Sequence, residues 1–301
     1  MNTNSTAVSA IVAEIQNLCN EAKVDERVHR GPKAVFKPSF IVTILILKNL
    51  FGFSSERSFI RYMEKHHGGM FPFLPERSWF NRKAKKLTSV QKEIHLLLLK
   101  KLNVDKIEIR IIDSTPVPVV KIWRAGKCRS FNRKTEVNYG YCASKKMYYY
   151  GQKLTLFTTP SGLPTEYILT PANHHDLKAF KENIKELSDI KKKKIIADKG
   201  YYDGELEVEL QKKYHTKLIV PEKKRHQKKN TDEEKKLLKK RGIIETINNQ
   251  LQDQMNIDQT RAKSISGLTS RIQSAILAFS FGFYFNMISG NKPLAIKSLL
   301  I

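Results

Sequence analysis

Cysteine is scarce in this chain of 301 residues. There are three, at positions 19, 128 and 142, and their odd number and wide spacing argue against a disulfide framework and fit a reducing compartment. Long hydrophobic runs are lacking too, because the apolar stretches at 40–47 and 275–288 are shorter than the roughly 18 residues of a spanning helix. The first residues show no basic region followed by a long apolar one, as a secretory signal would. We therefore expect a cytoplasmic protein.

Acidic residues are few compared with basic ones. Lysine and arginine number 54 against 29 aspartates and glutamates, which gives a formal net charge of +25. Such an excess predicts a surface that binds polyanions, most often nucleic acid. An anionic membrane is the alternative, and the short apolar runs disfavour it. The apolar share of 41% is sufficient for packed cores and argues against wholesale disorder.

The pattern of apolar residues changes near residue 103. Before it, apolar residues recur at helical spacing between breakers, which predicts an all-α region. After it, the alternating segment KIEIRIID predicts a strand that Pro116 and Pro118 end. A hairpin with a Pro-Ser-Gly turn follows, then helix, strand, helix and strand, which predicts a mixed α/β sheet. A basic segment at about 221–242 is expected to be an exposed insertion, and helices close the chain.

Three acidic residues stand where a chemical site could form. Asp113 and Asp198 each end a predicted strand, and open α/β sheets build their sites at the carboxyl ends of strands. Glu245 lies on a later helix, beside an apolar stripe, so it can point toward the same edge. Oxygen donors suit Mg²⁺, and two such ions can activate water and steady the leaving oxygen of a phosphodiester. Each acid considered alone also has an ordinary explanation. Asp198 could cap a turn, Asp113 could end a strand, and Glu245 could be a solvated helix residue.

The flanks of these acids carry a resemblance to a known family. The segments are IIDSTPVPV around Asp113, IIADKGYYDGELE around Asp198 and RGIIETINNQL around Glu245. They resemble the three motifs of DDE transposases of bacterial insertion sequences, which have a ribonuclease-H-like catalytic core. The hairpin block at 140–176 and the front segment LFGFSSERSFIRYM resemble further parts of one group of these enzymes, so the resemblance covers nearly the whole chain.

The resemblance implies a fold and a division of the chain. The expected fold class is α/β, a ribonuclease-H-like mixed sheet with flanking helices, preceded by an all-α helical DNA-binding region. Residues 1–103 would form that region, with a helix-turn-helix-like arrangement. Residues 104–301 would form the DDE catalytic domain, with the basic insertion at about 221–242.

The resemblance also implies an activity. Asp113, Asp198 and Glu245 would be catalytic and would hold the metal, two Mg²⁺ ions with Mn²⁺ able to substitute. The enzyme would bind the inverted-repeat ends of its element as a homodimer on double-stranded DNA, cleave a phosphodiester and transfer the strand to target DNA. It would be associated with the nucleoid when bound to DNA, and no small-molecule substrate is implied.

The glutamate motif departs from the family in two places. Related enzymes often carry a tyrosine and an arginine before the glutamate and a lysine after it. Arg241 matches the arginine, and either a phosphate contact or an ion pair with Glu245 would explain it. Leu238 stands at the tyrosine position and Gln252 at the lysine position. The phosphate contacts expected of the family's tyrosine and lysine would therefore have to come from other residues.

Basic residues interleaved with aromatic ones mark candidate DNA contacts. The helix at 76–87 suits a recognition helix in a major groove, and the stretch 121–153 could neutralise phosphates while aromatic faces stack on bases. A basic surface helix and a hairpin core with a solvated lysine face are the respective alternatives. The candidate contacts are Arg82, Lys85, Lys86, Trp123, Arg124, Lys145, Lys146, Lys153 and Arg241.

Two other functions remain open at this point. A nuclease or junction resolvase of the same fold would cut DNA without joining strands. A non-catalytic DNA-binding regulator derived from a transposase would not cut at all, which the intact set of three acids argues against.

Overall fold

The computed structural model describes residues 5–26, 35–132, 135–143, 145–222 and 229–300. The chain divides into two compact units. The first, here the helical unit, comprises Met1–Leu102 and Leu251–Ile301, and the second, here the sheet unit, comprises Asn103–Gln250. Residues 223–228 of the predicted basic insertion lie outside the described residues.

The N-terminal part of the helical unit contains the helices that the sequence predicts. Proline at the first helical position begins the second helix at Pro38, because a missing N–H is harmless there. The hydroxyl of Ser55 accepts a hydrogen bond from the Ser58 amide at 3.3 Å and caps the third helix. The α-helices in the described residues of this part are α1 (Ser5–Glu21), α2 (Pro38–Leu50), α3 (Glu56–His67), α4 (Arg77–Lys86) and α5 (Thr88–Lys101).

In the described part of the sheet unit, six strands form one mixed sheet. The strands are β1 (Ile109–Val120), β2 (Asn138–Cys142), β3 (Met147–Thr158), β4 (Pro164–Pro171), β5 (Lys194–Ile196) and β6 (Lys217–Ile219). Their order is β2-β3-β1-β5-β6, and β4 also pairs with β3. The pairs of β3 are antiparallel, whereas β1–β5 and β5–β6 are parallel. This sheet and its flanking helices confirm the predicted ribonuclease-H-like α/β fold.

Strand β1 does not end at its prolines, and that prediction is wrong. The strand continues through Pro116 and Pro118, which pair with Lys153 and Gly151 of β3. On its other edge β1 pairs with β5 only over Ile109–Ile111. Among the described residues no strand pairs with that edge beyond this point, so a residue without an N–H leaves no ladder hydrogen bond unmade there.

Strand β3 has neighbours on both edges near its start. Gly151 pairs with Pro118 on one side and with Asn138 on the other. A Cβ atom at position 151 would lie 2.2 Å from the carbonyl oxygen of Val117, a distance that no side chain tolerates. Glycine is therefore required where the hairpin meets β1.

Helices cover the sheet and enclose its cores. They are α6 (Asp176–Asn183), α7 (Gly204–Tyr214), α8 (Asp232–Leu238) and α9 (Gly242–Asp253). Helices α6 and α7 contribute Phe180, Leu206 and Leu210 to a cluster of buried residues that includes Ile112 and Ile195 of the sheet. Ile244 of α9 closes a second cluster with Ile111 and Ile196. The two central parallel strands are thus apolar on both faces, as buried parallel strands usually are.

A buried arginine anchors the start of β1. Arg110 is fully buried, and its Nε and Nη2 donate to the two carboxylate oxygens of Asp189, the Nη2 bond measuring 2.7 Å. Nη1 donates to the carbonyl oxygens of Ile107 and Ile109 at 2.8 and 2.9 Å. The pairing satisfies a charge that the core could not otherwise accommodate.

The C-terminal segment of the chain forms one compact unit with the N-terminal segment. We predicted that 104–301 would form one domain, but Leu251–Ile301 groups with Met1–Leu102. The 24-residue helix α10 (Ile265–Ile288) is buried on most of its surface and packs against α2 and α5. A helix that is apolar on all sides must be buried by packing against other parts of the protein. No helix in the described ranges is long and apolar enough to cross a membrane.

A cavity in the helical unit holds a buried lysine. Lys48 of α2 is 8% exposed and lines this cavity together with Glu56, Asn81 and Arg271. Glu56 accepts hydrogen bonds from Asn81 and from Arg271, the latter at 2.8 Å. Burial lowers the pKa of Lys48 to about 8, against the opposing attraction of Glu56. Lys48 therefore carries its charge at neutral pH in an environment that disfavours it.

Candidate active site

The parallel pairing of β1 with β5 places two acids at the same sheet edge. Ile111 pairs with Ile196, and Asp113 and Asp198 each follow two residues later. Asp198 immediately precedes a short turn of helix, Lys199–Tyr201. The side chains at this edge follow strands of the same direction, which is the arrangement that the sequence predicts for a site.

Asp113 is the most enclosed of the three predicted acids. The side-chain amide of Asn248, on α9, donates a long hydrogen bond of 3.4 Å to its Oδ2 atom. Burial raises the pKa of the Asp113 carboxyl to about 6, an effect that the nearby Asp176 and Asp198 carboxylates increase and Arg241 opposes. A half-buried carboxylate with acidic neighbours gains stability from any cation that approaches it.

Arg241 connects the second and third acids. Its Nη1 atom lies 4.0 Å from Oδ1 of Asp198, and its Nη2 atom lies 3.6 Å from Oε1 of Glu245. Asp198 and Glu245 are 53% and 61% exposed, so water screens these pairs and they contribute little to stability. The guanidinium is consequently free to exchange partners.

The three acids do not form a ligand cage in the described part of the chain. Within the described ranges, no three His, Cys, Asp or Glu side chains lie close enough together to hold a metal ion. A divalent cation nevertheless fits the chemistry of this edge, because the donors are carboxylate oxygens. Asn248 adds a further oxygen, since its buried Oδ1 has no hydrogen-bond partner among the described residues. The assignment of Asp113, Asp198 and Glu245 as metal ligands stays a prediction.

A network of hydroxyl groups lies behind Asp113, and sequence reasoning missed it. The Ser114 hydroxyl lies 2.9 Å from that of Thr155 and 3.0 Å from that of Tyr201. Burial raises the pKa of Tyr201 well above its ordinary value, so the phenol stays protonated. The available signal was that Ser114 follows Asp113 directly in the chain and that Tyr201 comes three residues after Asp198.

A fourth acid contacts one of the predicted DNA-binding residues. The Lys153 ammonium lies 2.9 Å from Oδ1 of Asp176 and donates to the carbonyl oxygen of His174 at 2.9 Å. The sequence places Lys153 among the DNA contacts, whereas the structure places it in an ion pair at the start of α6. Asp176 was not predicted as part of the site, and its charge acts on Asp113.

The remaining predicted DNA contacts lie on three surfaces. Arg82 and Lys86 are exposed on α4, whereas Lys85 is half-buried and lines the cavity beside Gly267. Trp123 and Arg124 are exposed in the turn of helix Ile122–Lys127. Lys145 and Lys146 are exposed in the turn between β2 and β3. Arg241 is the predicted contact that lies at the carboxylates themselves.

The two departures from the family pattern have a structural explanation. Leu238 packs against the cluster of Ile111, Ile196 and Ile244, and Gln252 is buried. Position 238 therefore contributes apolar contact to the core. Neither position presents a charge to solvent, which leaves Arg241 as the basic residue of this motif that faces the acids.

The fold and the placement of the acids define a ribonuclease-H-like protein with one carboxylate, Asp113, inside the central strand β1 and another, Asp198, just after β5. Residues 103–265, more than half of the chain, match the family described as "Transposase DDE domain". The chain therefore belongs to this family and is a transposase of the DDE type. No curated protein and no solved structure matches the chain.

Proposed function

We propose that the protein binds the inverted-repeat ends of a bacterial insertion sequence and catalyses metal-dependent DNA cleavage and strand transfer. The observation that supports this most directly is the parallel register that sets Asp113 and Asp198 at one edge of the sheet. The family and the net charge of +25 favour DNA as the substrate. A homodimer is expected, because two element ends must be joined.

Asp113, Asp198 and Glu245 are the residues that would hold the metal. Divalent cations at such a site lower the pKa of bound water and offset charge on the oxygens of a phosphodiester. Mg²⁺ suits the oxygen donors, and Mn²⁺ would substitute. Asn248 would keep Asp113 in place through its 3.4 Å hydrogen bond, while Tyr201 and Ser114 would fix the neighbouring backbone of β1 from its other face.

Arg241 would change partners when substrate binds. It is shared between Asp198 and Glu245 at 4.0 and 3.6 Å, distances that mark weak, exchangeable contacts. Asp198 and Glu245 would hold the metal, so the Arg241 guanidinium would be available to donate to a phosphate oxygen, for which its planar set of N–H groups is suited. The same residue would thus neutralise acids before binding and phosphate after it.

The helical unit would supply DNA recognition. Arg82 and Lys86 are exposed on α4, whereas Phe80 and Ala84 bury its other face. A short amphipathic helix with basic residues outward is the element that enters a major groove in helix-turn-helix proteins. In the sheet unit, the exposed side chains of Arg124, Lys145 and Lys146 would contact DNA phosphates.

Charge-removing substitutions test the role of the acids. Asp113→Asn, Asp198→Asn and Glu245→Gln should each abolish cleavage and joining of element-end DNA while leaving DNA affinity nearly unchanged. Mg²⁺ should raise the melting temperature of the wild-type protein and should have less effect on each variant, a readout that needs no activity. Glu233→Gln, at an exposed acid on α8, is the matched control. Near-normal cleavage by any one folded variant would remove that residue from the site.

A second assay separates transposition from simple cleavage. Paired end DNA and a supercoiled target should give joined products with the wild-type protein in Mg²⁺. Cleaved ends without joined products would instead indicate a nuclease or resolvase, and no cleavage with any divalent metal would indicate a non-catalytic regulator.

A further inference from the structure

Exposed aromatic side chains are concentrated in one part of the sheet unit. Trp123, Tyr139, Tyr141 and Tyr148 are 71%, 51%, 54% and 69% exposed. Single exposed apolar side chains need no explanation, but a group of large rings in solvent marks an interaction surface. Three of the four rings belong to the hairpin of β2 and β3.

Four tyrosines form two cross-strand pairs on one face of that hairpin. Tyr139 pairs with Tyr150, and Tyr141 pairs with Tyr148. The ring centroids are 4.9 Å apart in both pairs, which is the spacing of favourable aromatic contacts. Tyr150 is buried, so the inner pair is anchored in the protein, whereas both rings of the outer pair are exposed near the turn.

The opposite face of the hairpin is packed. Tyr149 is buried, and Gly140 pairs with it across the strands. A Cβ atom at position 140 would lie 2.7 Å from the carbonyl oxygen of Ala172 and 2.9 Å from the Tyr149 ring. This close packing holds the hairpin against the end of β4, so the outer tyrosine pair is presented in a defined orientation.

The charges around the pair favour a nucleic acid over a protein partner. Lys145 and Lys146 are exposed in the turn next to Tyr141 and Tyr148, and no acidic residue occurs between 137 and 153. Lys121 lies over the Trp123 ring, 4.9 Å from its centroid. Aromatic faces next to cations are the components of sites that bind single-stranded nucleic acid, where bases stack and phosphates are neutralised.

We propose that the outer pair, Tyr141 and Tyr148, is a stacking site for unpaired DNA bases. Base pairs in an intact duplex are stacked on one another, so a ring can stack fully only on a base that is frayed, flipped or single-stranded. The inference rests on the proposed function, since it takes the substrate to be DNA, and deepens it. The site selects DNA with opened strands, independently of base sequence, because every base has a π-face.

A comparison of opened and closed DNA tests this site in the full-length protein. The probes are a blunt duplex and the same duplex with four unpaired nucleotides at one end, one of them 2-aminopurine. The wild-type protein should bind the forked probe about 10-fold more tightly and quench its fluorescence, as expected for one or two stacked bases. A Tyr141→Ser/Tyr148→Ser variant should lose this preference and the quenching while binding the blunt duplex within about twofold of wild type.

Two further variants separate stacking from other effects. Tyr141→Phe/Tyr148→Phe keeps the rings and should retain both the preference and the quenching. Phe73→Ser removes a ring that is 78% exposed in the helical unit and should change neither. Unfolding midpoints confirm that each variant is folded.

The possible contrary results differ in what they overturn. Equal losses on both probes in the serine variant, or a loss in the phenylalanine variant, would overturn the stacking site and leave the proposed function standing. Equal wild-type affinity for both probes without quenching would also overturn it, as for a surface that docks a protein. Failure of the wild-type protein to bind either probe would overturn the proposed function and the stacking site together.

Discussion

The guanidinium of Arg241 lies 3.6 Å from the carboxylate of Glu245, one helical turn further along the chain. An i,i+4 pair of this kind on a helix surface is worth only about 0.3–0.5 kcal/mol, so stability alone does not explain it. Its second contact, 4.0 Å from Asp198, places one cation between two predicted metal ligands. If Asp198 and Glu245 hold a metal as proposed, Arg241 would compete with it for their carboxylates.

Substitution of Arg241 should separate metal binding from chemistry. In Arg241→Ala, the carboxylates lose a competing cation, so the Mg²⁺ concentration that half-saturates the increase in melting temperature should fall. Cleavage should fall by about 100-fold, because a cationic donor to the phosphate is lost. Arg241→Lys should be intermediate, and Lys239→Ala, in the same turn, is the control. Unchanged cleavage in Arg241→Ala would contradict the phosphate role.

The buried pair of Arg110 and Asp189 should dominate the stability of the sheet unit. Asp189→Asn leaves a fully buried guanidinium without its counter-ion, so the free energy of unfolding should fall by about 3 kcal/mol. Urea denaturation measures the change. Glu209→Gln removes the exposed pair with Lys213 and should change the free energy of unfolding far less, because water screens this pair. Similar effects of the two substitutions would show that burial of the first pair is unimportant.

Lys48 should make the helical unit sensitive to alkaline pH. Its folded-state pKa of about 8 lies below the ordinary value of 10.5, so between these values the unfolded state binds more protons and stability rises with pH. Below pH 8 the penalty of the buried charge is present in full, although Glu56 offsets part of it. The groups whose charges act on Lys48 are Glu56, Arg271 and Arg261.

The corresponding substitution is Lys48→Met. It should stabilise the protein by about 2–3 kcal/mol at pH 7 and by far less near pH 10.5. Chemical denaturation of both proteins at the two pH values measures this, with the exposed Lys100→Met as control. A gain that is the same at both pH values would refute a buried charge at position 48.

The helical unit should require both of its chain segments. A fragment of residues 1–102 lacks α10, which covers apolar surface of α2 and α5, so it should aggregate or lack a cooperative thermal transition. Residues 251–301 joined to this fragment by a Gly-Ser linker should restore a cooperative transition. Circular dichroism melts and gel filtration distinguish the two, and cooperative unfolding of 1–102 alone would contradict this dependence.

Local signals in the sequence were sufficient for most of the elements. Pro38 and Ser55 mark helix starts because their effects act on neighbouring backbone groups. The apolar strand that precedes Asp198 and the alternating strand that precedes Asp113 could be recognised from their own residues. Their common edge followed from the order of strands and helices, which favours parallel neighbours.

Features that depend on distant partners could not be predicted in this way. Pro116 and Pro118 lie inside a strand because that stretch of β1 has a neighbour on one edge only, which is a property of the sheet. Strand β2 is short and its outward residues are tyrosines. Its sequence therefore lacks the alternation of apolar and polar residues that predicts a strand. From the sequence alone, Arg110 would be predicted to lie on the surface. Its burial depends on its partner Asp189, which is 79 positions later in the chain.

The separation of the helical unit into two chain segments has a consequence for synthesis. The carboxylates of the sheet unit are complete once residue 250 has been translated, but α10 follows only at Ile265–Ile288. A ribosome therefore completes the segment that carries the three predicted metal ligands before it completes the helical unit. A chain interrupted between these points would carry Asp113, Asp198 and Glu245 but would lack α10, and the apolar surfaces of α2 and α5 that α10 covers would stay exposed.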